Sequence, residues 1–535
     1  MNAPASTTRP SETDVRSVAF VSLGCPKNTV DSEKMLGLLA EDGLEIISEQ
    51  AGGMSAGADA VVVNTCGFLE ASRQESLEVV HEALRLKEQG RVKRVIVAGC
   101  LVQRHRARIL DWAPGVDAMI GVFDRYHIVD AVRGARPERQ SLEEASDKPK
   151  YWIAGNALQA AKDRRLPVTG LTVHGKDGKG LGYFESDNAR LRITPRHFAY
   201  LRVSEGCNQA CAFCTIPSIR GKMRSKPLER IAAEARELLE DGAFELNLIG
   251  QDTTSWGDDI GQGVAAGAGL PAMLRAVNDA VHRHAGGSGW VRLMYAYPSN
   301  FSDEMIEAIA ELDRVVKYID IPLQHASDRM LTAMRRTVTA AHQRDLMLRL
   351  RERIPGIAIR TTFITGFPGE TEEDHEALLE FVDEIGFDMM GVFEYSREDG
   401  TPAGTMEKNP ALAVPAEVKA RRKDELMRLQ QSIAFDQADY IASQFDEGDP
   451  ENTGCRFDVL IDEPGELDEE IGLYSHRGRA YFQAPMVDST TTVFSKNPLS
   501  AGELVRCTIV GADGYDLIAQ PTTDLERRLG LTVLR

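Results

Sequence analysis

The chain has 535 residues, eight cysteines, 43% hydrophobic residues and a formal net charge of −19. That length favours about three domains with sizeable cores, and so few cysteines exclude a disulfide scaffold. The acid excess argues against sequence-blind nucleic-acid binding by the whole surface, which needs Lys and Arg against phosphate, and it fits a basic partner or plain solubility. The first sixteen residues are polar and lack the apolar run of a signal peptide. No stretch of about 20 apolar residues offers a membrane span, so a cytoplasmic enzyme is expected.

In chain order, residues 17–24 read as a strand and 28–43 as a helix that Gly43 closes. A strand over 58–65, a helix over about 69–90 and strands over 92–99 and 117–122 follow. Strands alternating with helices predict a doubly wound parallel sheet over 17–135, behind a tail at 1–16. From 136 to 192 charged residues and glycines dominate, as in HGKDGKGLGYFESDN, and the segment reads as linker plus surface insertion. Six further strands, over 197–204, 244–250, 290–297, 318–323, 357–366 and 387–396, predict a full or partial βα barrel over 193–435. A charged helix over 414–437 follows, its Arg421-Arg422-Lys423 run read as a solvated face. Short strands within 436–522 predict a small β-barrel, with a tail at 523–535. The fold class expected is α/β with this third, all-β domain.

Six cysteines carry the chemistry. Cys207, Cys211 and Cys214 form C-x-x-x-C-x-x-C directly after the first strand of the second series, at a strand end where βα barrels place their reactive loops. Three thiolates at this spacing can bind three irons of a [4Fe–4S] cubane and leave the fourth iron open for a substrate. A zinc knuckle, for which no second ligand pair lies nearby, and unliganded buried thiols are the other readings. Cys25, Cys66 and Cys100 each follow the end of a predicted parallel strand, so all three thiols should converge on one sheet edge. Chance burial of a small hydrophobe stands there beside a second three-thiolate cluster, whose open iron would take an exogenous sulfur ligand. Cys455 and Cys507, in the β-domain, read as packing residues.

The SEGCNQACAFC loop, with Phe213 before its last cysteine, resembles the radical S-adenosylmethionine enzymes. That resemblance implies S-adenosylmethionine chelated at the open iron and cleaved to a 5′-deoxyadenosyl radical, with the protein positioning and shielding the cofactor. GFPGET is similar to that family's glycine stretch beside the adenosyl moiety, which implies Gly366, Gly369 and Glu370 as cofactor-binding residues; a plain turn is the alternative. With SLGCPKN, NTCGF, AGCL and a TRAM-like β-domain, the chain resembles the methylthiotransferase family over nearly its whole length, the segment 150–187 excepted. The family resemblance implies two [4Fe–4S] clusters, a sulfur-delivering one on Cys25, Cys66 and Cys100 and a radical-generating one on Cys207, Cys211 and Cys214. It implies replacement of C–H by C–S–CH₃, one S-adenosylmethionine giving its methyl group and a second giving the radical. No residue pattern identifies the sulfur donor or the reductant.

Members of that family act on tRNA adenosine or on an aspartate of ribosomal protein uS12. Residues 436–520 hold 17 Asp and Glu against 5 Lys and Arg, a domain that would repel phosphate and attract a basic protein. IPSIRGKMRS, IGQDTTSWG, YAYPSN and IDIPLQHAS look like the uS12-directed branch. The expectation is β-methylthiolation of an aspartate of uS12, with nucleic acid disfavoured as substrate and tRNA adenosine methylthiolation as the alternative. Asp252, Tyr295, Gln324 and His325 sit near predicted strand ends, where they could line the substrate cavity or serve in ordinary packing.

Overall fold

Runs of Val, Ile and Ala separated by amphipathic helices build two parallel sheets. The computed structural model describes residues 15–47, 54, 57–135, 150–163 and 185–525. Residues 1–14 and 526–535 of the expected tails, and 136–149 and 164–184 of the expected linker, lie outside the described residues.

In the first sheet β1 (Ser17–Ser22), β2 (Glu45–Ile47), β3 (Ala60–Thr65), β4 (Arg94–Gly99), β5 (Ala118–Ile120) and β6 (Lys150–Trp152) pair in the order β2-β1-β3-β4-β5-β6. Every pairing is parallel. Val61 and Val63 of β3 enter one core while Ala60 and Val62 enter another, the alternation of a strand covered by helices on both faces. The doubly wound expectation holds. It missed β2 and β6, and β6 corrects the reading of its segment as linker plus surface insertion, because it extends the sheet beside β5.

The second sheet contains β7 (Phe198–Arg202), β10 (Glu245–Ile249), β11 (Trp290–Leu293), β12 (Val315–Asp320), β13 (Ala358–Thr365) and β14 (Met389–Glu394), all parallel and in sequential order. It is a partial βα barrel of six strands. Between β7 and β10 a two-residue antiparallel pair, β8 (Ser204–Glu205) with β9 (Arg224–Ser225), frames the cysteine loop. Leu246 and Leu248 join the helix-side core, and the opposite face packs Phe198, Tyr200, Met294 and Tyr318.

The third domain is a closed barrel of β15 (Arg456–Asp468), β16 (Leu473–Ala480), β17 (Thr491–Ser495), β18 (Leu504–Asp513) and β19 (Asp516–Pro521), in the order β15-β16-β17-β19-β18. Cys507 lies in its core and Cys455 at the margin, the packing roles expected of them. The loop between β16 and β17 plugs the helix-free face of the central sheet. There Arg292 donates to the Tyr481 carbonyl (2.6 Å) and the Tyr318 hydroxyl to Asp488 (2.8 Å). The helix Ala416–Ala442 ties the two together, with Leu426 in the central core and Ala438 in the barrel core. Arg422 on this helix is not solvated: it is buried against Glu370 and Glu372. Among the described residues no helix is long and apolar enough to cross a membrane.

The first two domains meet through buried ion pairs. Asp31, from the helix Pro26–Glu41, binds Arg202 (2.7 Å), Arg125 (2.8 Å) and Arg220 (3.1 Å). Asp187 binds Arg202, Lys226 (2.9 Å) and Arg125 (3.0 Å). The end of the expected linker is therefore a wedge in the interface. Burial alone would raise the Asp187 pKa, yet Arg202, Lys226 and Arg125 hold it well below the usual carboxylate range. A depressed folded-state pKa means that the unfolded chain takes up its proton first as pH falls. The stabilisation is thus complete above the ordinary value of 3.8 and lost below it. An acid titration followed by near-ultraviolet circular dichroism should be flat from about pH 8 to about pH 5 and fall steeply below about pH 4. Asp187→Asn should lower stability at neutral pH and flatten that acid limb.

Candidate active site: two groups of three thiols and the contact between them

Cys25 caps the helix Pro26–Glu41 after β1, Cys66 follows β3, and Cys100 opens the helix Cys100–His105 after β4. All three turns lie on the C-terminal edge of the first sheet, and one side chain stitches them. The Asn28 amide donates to the Leu23 carbonyl (2.7 Å) and the Thr65 carbonyl (3.0 Å), and its oxygen faces the Cys100 sulfur at 3.8 Å. Gly24 has φ +93°, and a Cβ there would lie 2.9 Å from the Cys66 Cβ, so only glycine lets these two turns close together. Burial pushes the Cys100 thiol up to about 12, with Arg220 opposing and Cys25 and Cys66 adding to the rise. Burial raises Cys66 as well.

Cys207, Cys211 and Cys214 lie in the loop between β8 and β9. The Gln209 backbone donates to the Cys207 sulfur (3.4 Å), and the Gln209 side chain to Asp252 (2.9 Å). Arg336 reaches the Cys211 sulfur (3.6 Å) and stacks on Tyr297. Burial takes Cys207 and Cys214 up to about 12 each. A thiol in that state is neutral at pH 7, and a bound cation is what removes its proton.

The GFPGET loop follows β13. Phe367 packs with Ala212 of the cysteine loop, Met334 and Tyr395, so the two stretches share one wall. Gly366 has φ +73°, and a Cβ there would strike Lys419 at 2.3 Å. Gly369 hydrogen-bonds through its N–H to the Leu412 carbonyl (2.7 Å). Glu370 is buried within its own loop. Its carboxylate accepts from the backbone N–H groups of Gly366 and Phe367 and meets Arg422 (3.5 Å), so it shapes the loop from behind. His325 is equally internal, its Nδ1 accepting from the Ala326 (2.9 Å) and Ser327 (3.0 Å) N–H groups.

The two thiol groups are connected. Arg220, which ends the helix after Cys214, places Nη2 3.4 Å from the Cys100 sulfur and 3.0 Å from the Asn28 oxygen. Its Nη1 lies 3.0 Å from Glu205, two residues before Cys207. Nearby, the Lys27 ammonium sits 3.1 Å above the Tyr295 ring.

Three family models match the chain: the Radical SAM superfamily over residues 201–382, the uncharacterized protein family UPF0004 over 17–121 and the TRAM domain over 453–521. The ribosomal protein uS12 methylthiotransferase RimO of Desulforamulus reducens is 38% identical over 504 residues, covering 94% of this chain and 99% of that protein. The proteins of the same name from Geobacter sulfurreducens and Symbiobacterium thermophilum are 36% and 37% identical over 94% and 95% of this chain, and 98% and 91% of their own. The chain belongs to the ribosomal protein uS12 methylthiotransferase family. It is a radical S-adenosylmethionine methylthiotransferase, with an iron–sulfur cluster and S-adenosylmethionine as cofactors.

A solved radical S-adenosylmethionine methyltransferase, TsrM from Kitasatospora setae, determined with cobalamin and a [4Fe–4S] cluster, shares the fold. Its TM-score is 0.50 at 14% identity, over 73% of this chain and 77% of that one. For a methylthiotransferase the donors suit iron–sulfur chemistry: soft thiols, in threes, each group beside a buried guanidinium. Among the described residues no three His, Cys, Asp or Glu side chains gather around one point as a single ion requires. A cubane divides its three thiolates among three irons and so does not need them around one point. Asn28 and Arg220 escaped the sequence reading. Asn28 was quoted within SLGCPKN and Arg220 within IPSIRGKMRS, but neither was given a role; the partners of Arg220 lie 15 to 192 residues away.

Proposed function

We propose that the protein converts a C–H bond of an aspartate side chain of ribosomal protein uS12 into C–S–CH₃, using one [4Fe–4S] cluster on Cys25, Cys66 and Cys100 and another on Cys207, Cys211 and Cys214. The observation that carries this is the pairing of two three-thiol groups joined through Arg220. When bound, the clusters and S-adenosylmethionine supply a transferable methylsulfur and a carbon radical able to remove hydrogen from an unactivated position.

The chain's own residues bind, orient and shield. Arg220 and Arg336 set a positive charge against one thiol of each group, which offsets the anionic charge of a thiolate-ligated cluster. Asp252 holds Gln209 and thereby the start of the second loop. Glu370 fixes the turn through Gly366 and Phe367, and Gly366, Gly369 and the loop they form are the wall offered to the adenosyl group. Phe367, Tyr395 and Met334 pack behind that wall and keep water from the second thiol group.

The substrate assignment draws on the relatives named for uS12 and on the barrel surface. Glu463, Glu466, Asp468, Glu469 and Glu470 are exposed around the β15–β16 turn, a surface complementary to a basic protein and repulsive to phosphate. Intact-mass analysis of uS12 from cells with and without the gene tests the reading. Loss of the methylthio mass increment on deletion, with tRNA nucleosides unchanged, is expected; unchanged uS12 with altered tRNA adenosine would reverse the assignment.

A further inference from the structure

The Lys27 residue is 6% exposed, yet its ammonium has no hydrogen-bond or ion-pair partner among the described residues. Of the groups whose field favours its charge, Cys25 comes first, and the carboxylates of Glu205 and Asp320, which follow, are turned elsewhere. Glu205 binds Arg202 (2.6 Å) and Arg220 (3.0 Å), and Asp320 binds Arg360 (2.8 Å) and the Tyr295 N–H (3.1 Å). Its direct contact is with the Tyr295 ring, 3.1 Å below. An aromatic face compensates only part of the desolvation of an ammonium, so a cation held this way suits an anion that arrives later.

The position is specific. Lys27 lies two residues after Cys25, and Tyr295 lies just past β11, on the edge of the central sheet that also carries the Cys207 loop. Tyr295 has φ +61°, a left-handed backbone that a bulky residue rarely adopts and that concentrates at ligand clamps. The Asp320 bond to its N–H holds that turn and presents the ring to Lys27. The ammonium thus stands where the first domain meets the edge of the second that carries the Cys207 loop.

We propose that Lys27 binds the side-chain carboxylate of the substrate aspartate; this deepens the uS12 reading above and rests on it. That carboxylate is one bond from the carbon that gains sulfur, so an ammonium beside Cys25 fixes that carbon between the sulfur-delivering and the radical-generating thiols. The carboxylate of S-adenosylmethionine is assigned to the Cys207 group instead. An uncharged isostere gains little from an ammonium, so Lys27 makes the site selective for aspartate over asparagine.

Anaerobically reconstituted full-length protein is titrated with uS12, with uS12 carrying asparagine at the target position, and separately with S-adenosylmethionine. The natural protein should prefer the aspartate form by at least about tenfold. Lys27→Met should bind both forms alike with unchanged S-adenosylmethionine affinity and iron content, and Lys27→Arg should retain the preference. Methionine matches the lysine stem in volume and removes an unpaired buried charge, so the variant is expected to fold, with its thermal midpoint as the check. A Lys27→Met protein that keeps the aspartate preference, loses both uS12 forms equally, or loses S-adenosylmethionine affinity in its place overturns the proposal. If the unsubstituted protein binds neither form, the uS12 reading itself fails and this proposal with it.

Discussion

Cys211→Ala should cut release of 5′-deoxyadenosine from S-adenosylmethionine by at least about a thousandfold, a loss of about 4 kcal/mol of transition-state stabilisation. It should do so while retaining about four of about eight irons per chain. The reason is coordination: Cys211 is one of three thiols in a loop whose wall is shared with GFPGET, and no fourth cysteine stands nearby to replace it. Cys66→Ala should give the opposite pattern. Its turn belongs to the first sheet and is bound by Asn28 and Ser76, so 5′-deoxyadenosine should still form while uS12 gains no methylthio group. The pair of variants separates the two chemistries: chromatography of nucleosides reads 5′-deoxyadenosine, intact mass of uS12 reads the methylthio group, and iron analysis reads cluster loading. Loss of all iron in either variant would mean that the two groups do not load independently.

Arg202→Met should be the most destabilising single substitution in the interface. Its side chain is fully buried and meets Asp31 (2.7 Å), Glu205 (2.6 Å) and Asp187. Removing one partner of a buried ion cluster strands the others, at a cost of about 3–5 kcal/mol. Three domains do not unfold as one two-state unit, so the effect is read as a fall of about 10 °C in the transition that includes the first two domains. Arg421→Met, whose partners Glu372 and Glu425 are half exposed, should move that transition by no more than a degree or two. Equal shifts in the two variants would show that the buried cluster carries no special weight.

The contrast between these residues shows what the sequence made readable. β3 and β13 were legible because burial on a sheet imposes local periods, and AVVVNT and AIRTTFIT carry them. That Cys25, Cys66 and Cys100 each follow a strand of one sheet was legible for the same reason: parallel strands share an edge, so residues just past their ends share it too. β2 and β6 have three residues each, too few for a period to emerge. Asp187 was hidden in a segment whose composition resembles a loop, and its partners Arg202, Lys226 and Arg125 lie 15, 39 and 62 residues away. Glu370 was found as a motif residue, but its bonds to the Gly366 and Phe367 N–H groups were not, because spacing shows that a carboxylate is near a turn and not which way it faces. Lys27 was quoted within SLGCPKN and passed over, since only the docking of the first domain on Tyr295 turns an ordinary helix-start lysine into a buried cation.

The claim beneath all of this is that six cysteines hold two incomplete cubanes. Mössbauer spectroscopy of anaerobically purified, iron-enriched protein, with sulfide analysis of the same sample, tests it most directly. Two [4Fe–4S] clusters and about eight irons per chain are predicted; a single cluster in fully loaded protein, or zinc on either group of thiols, would contradict it.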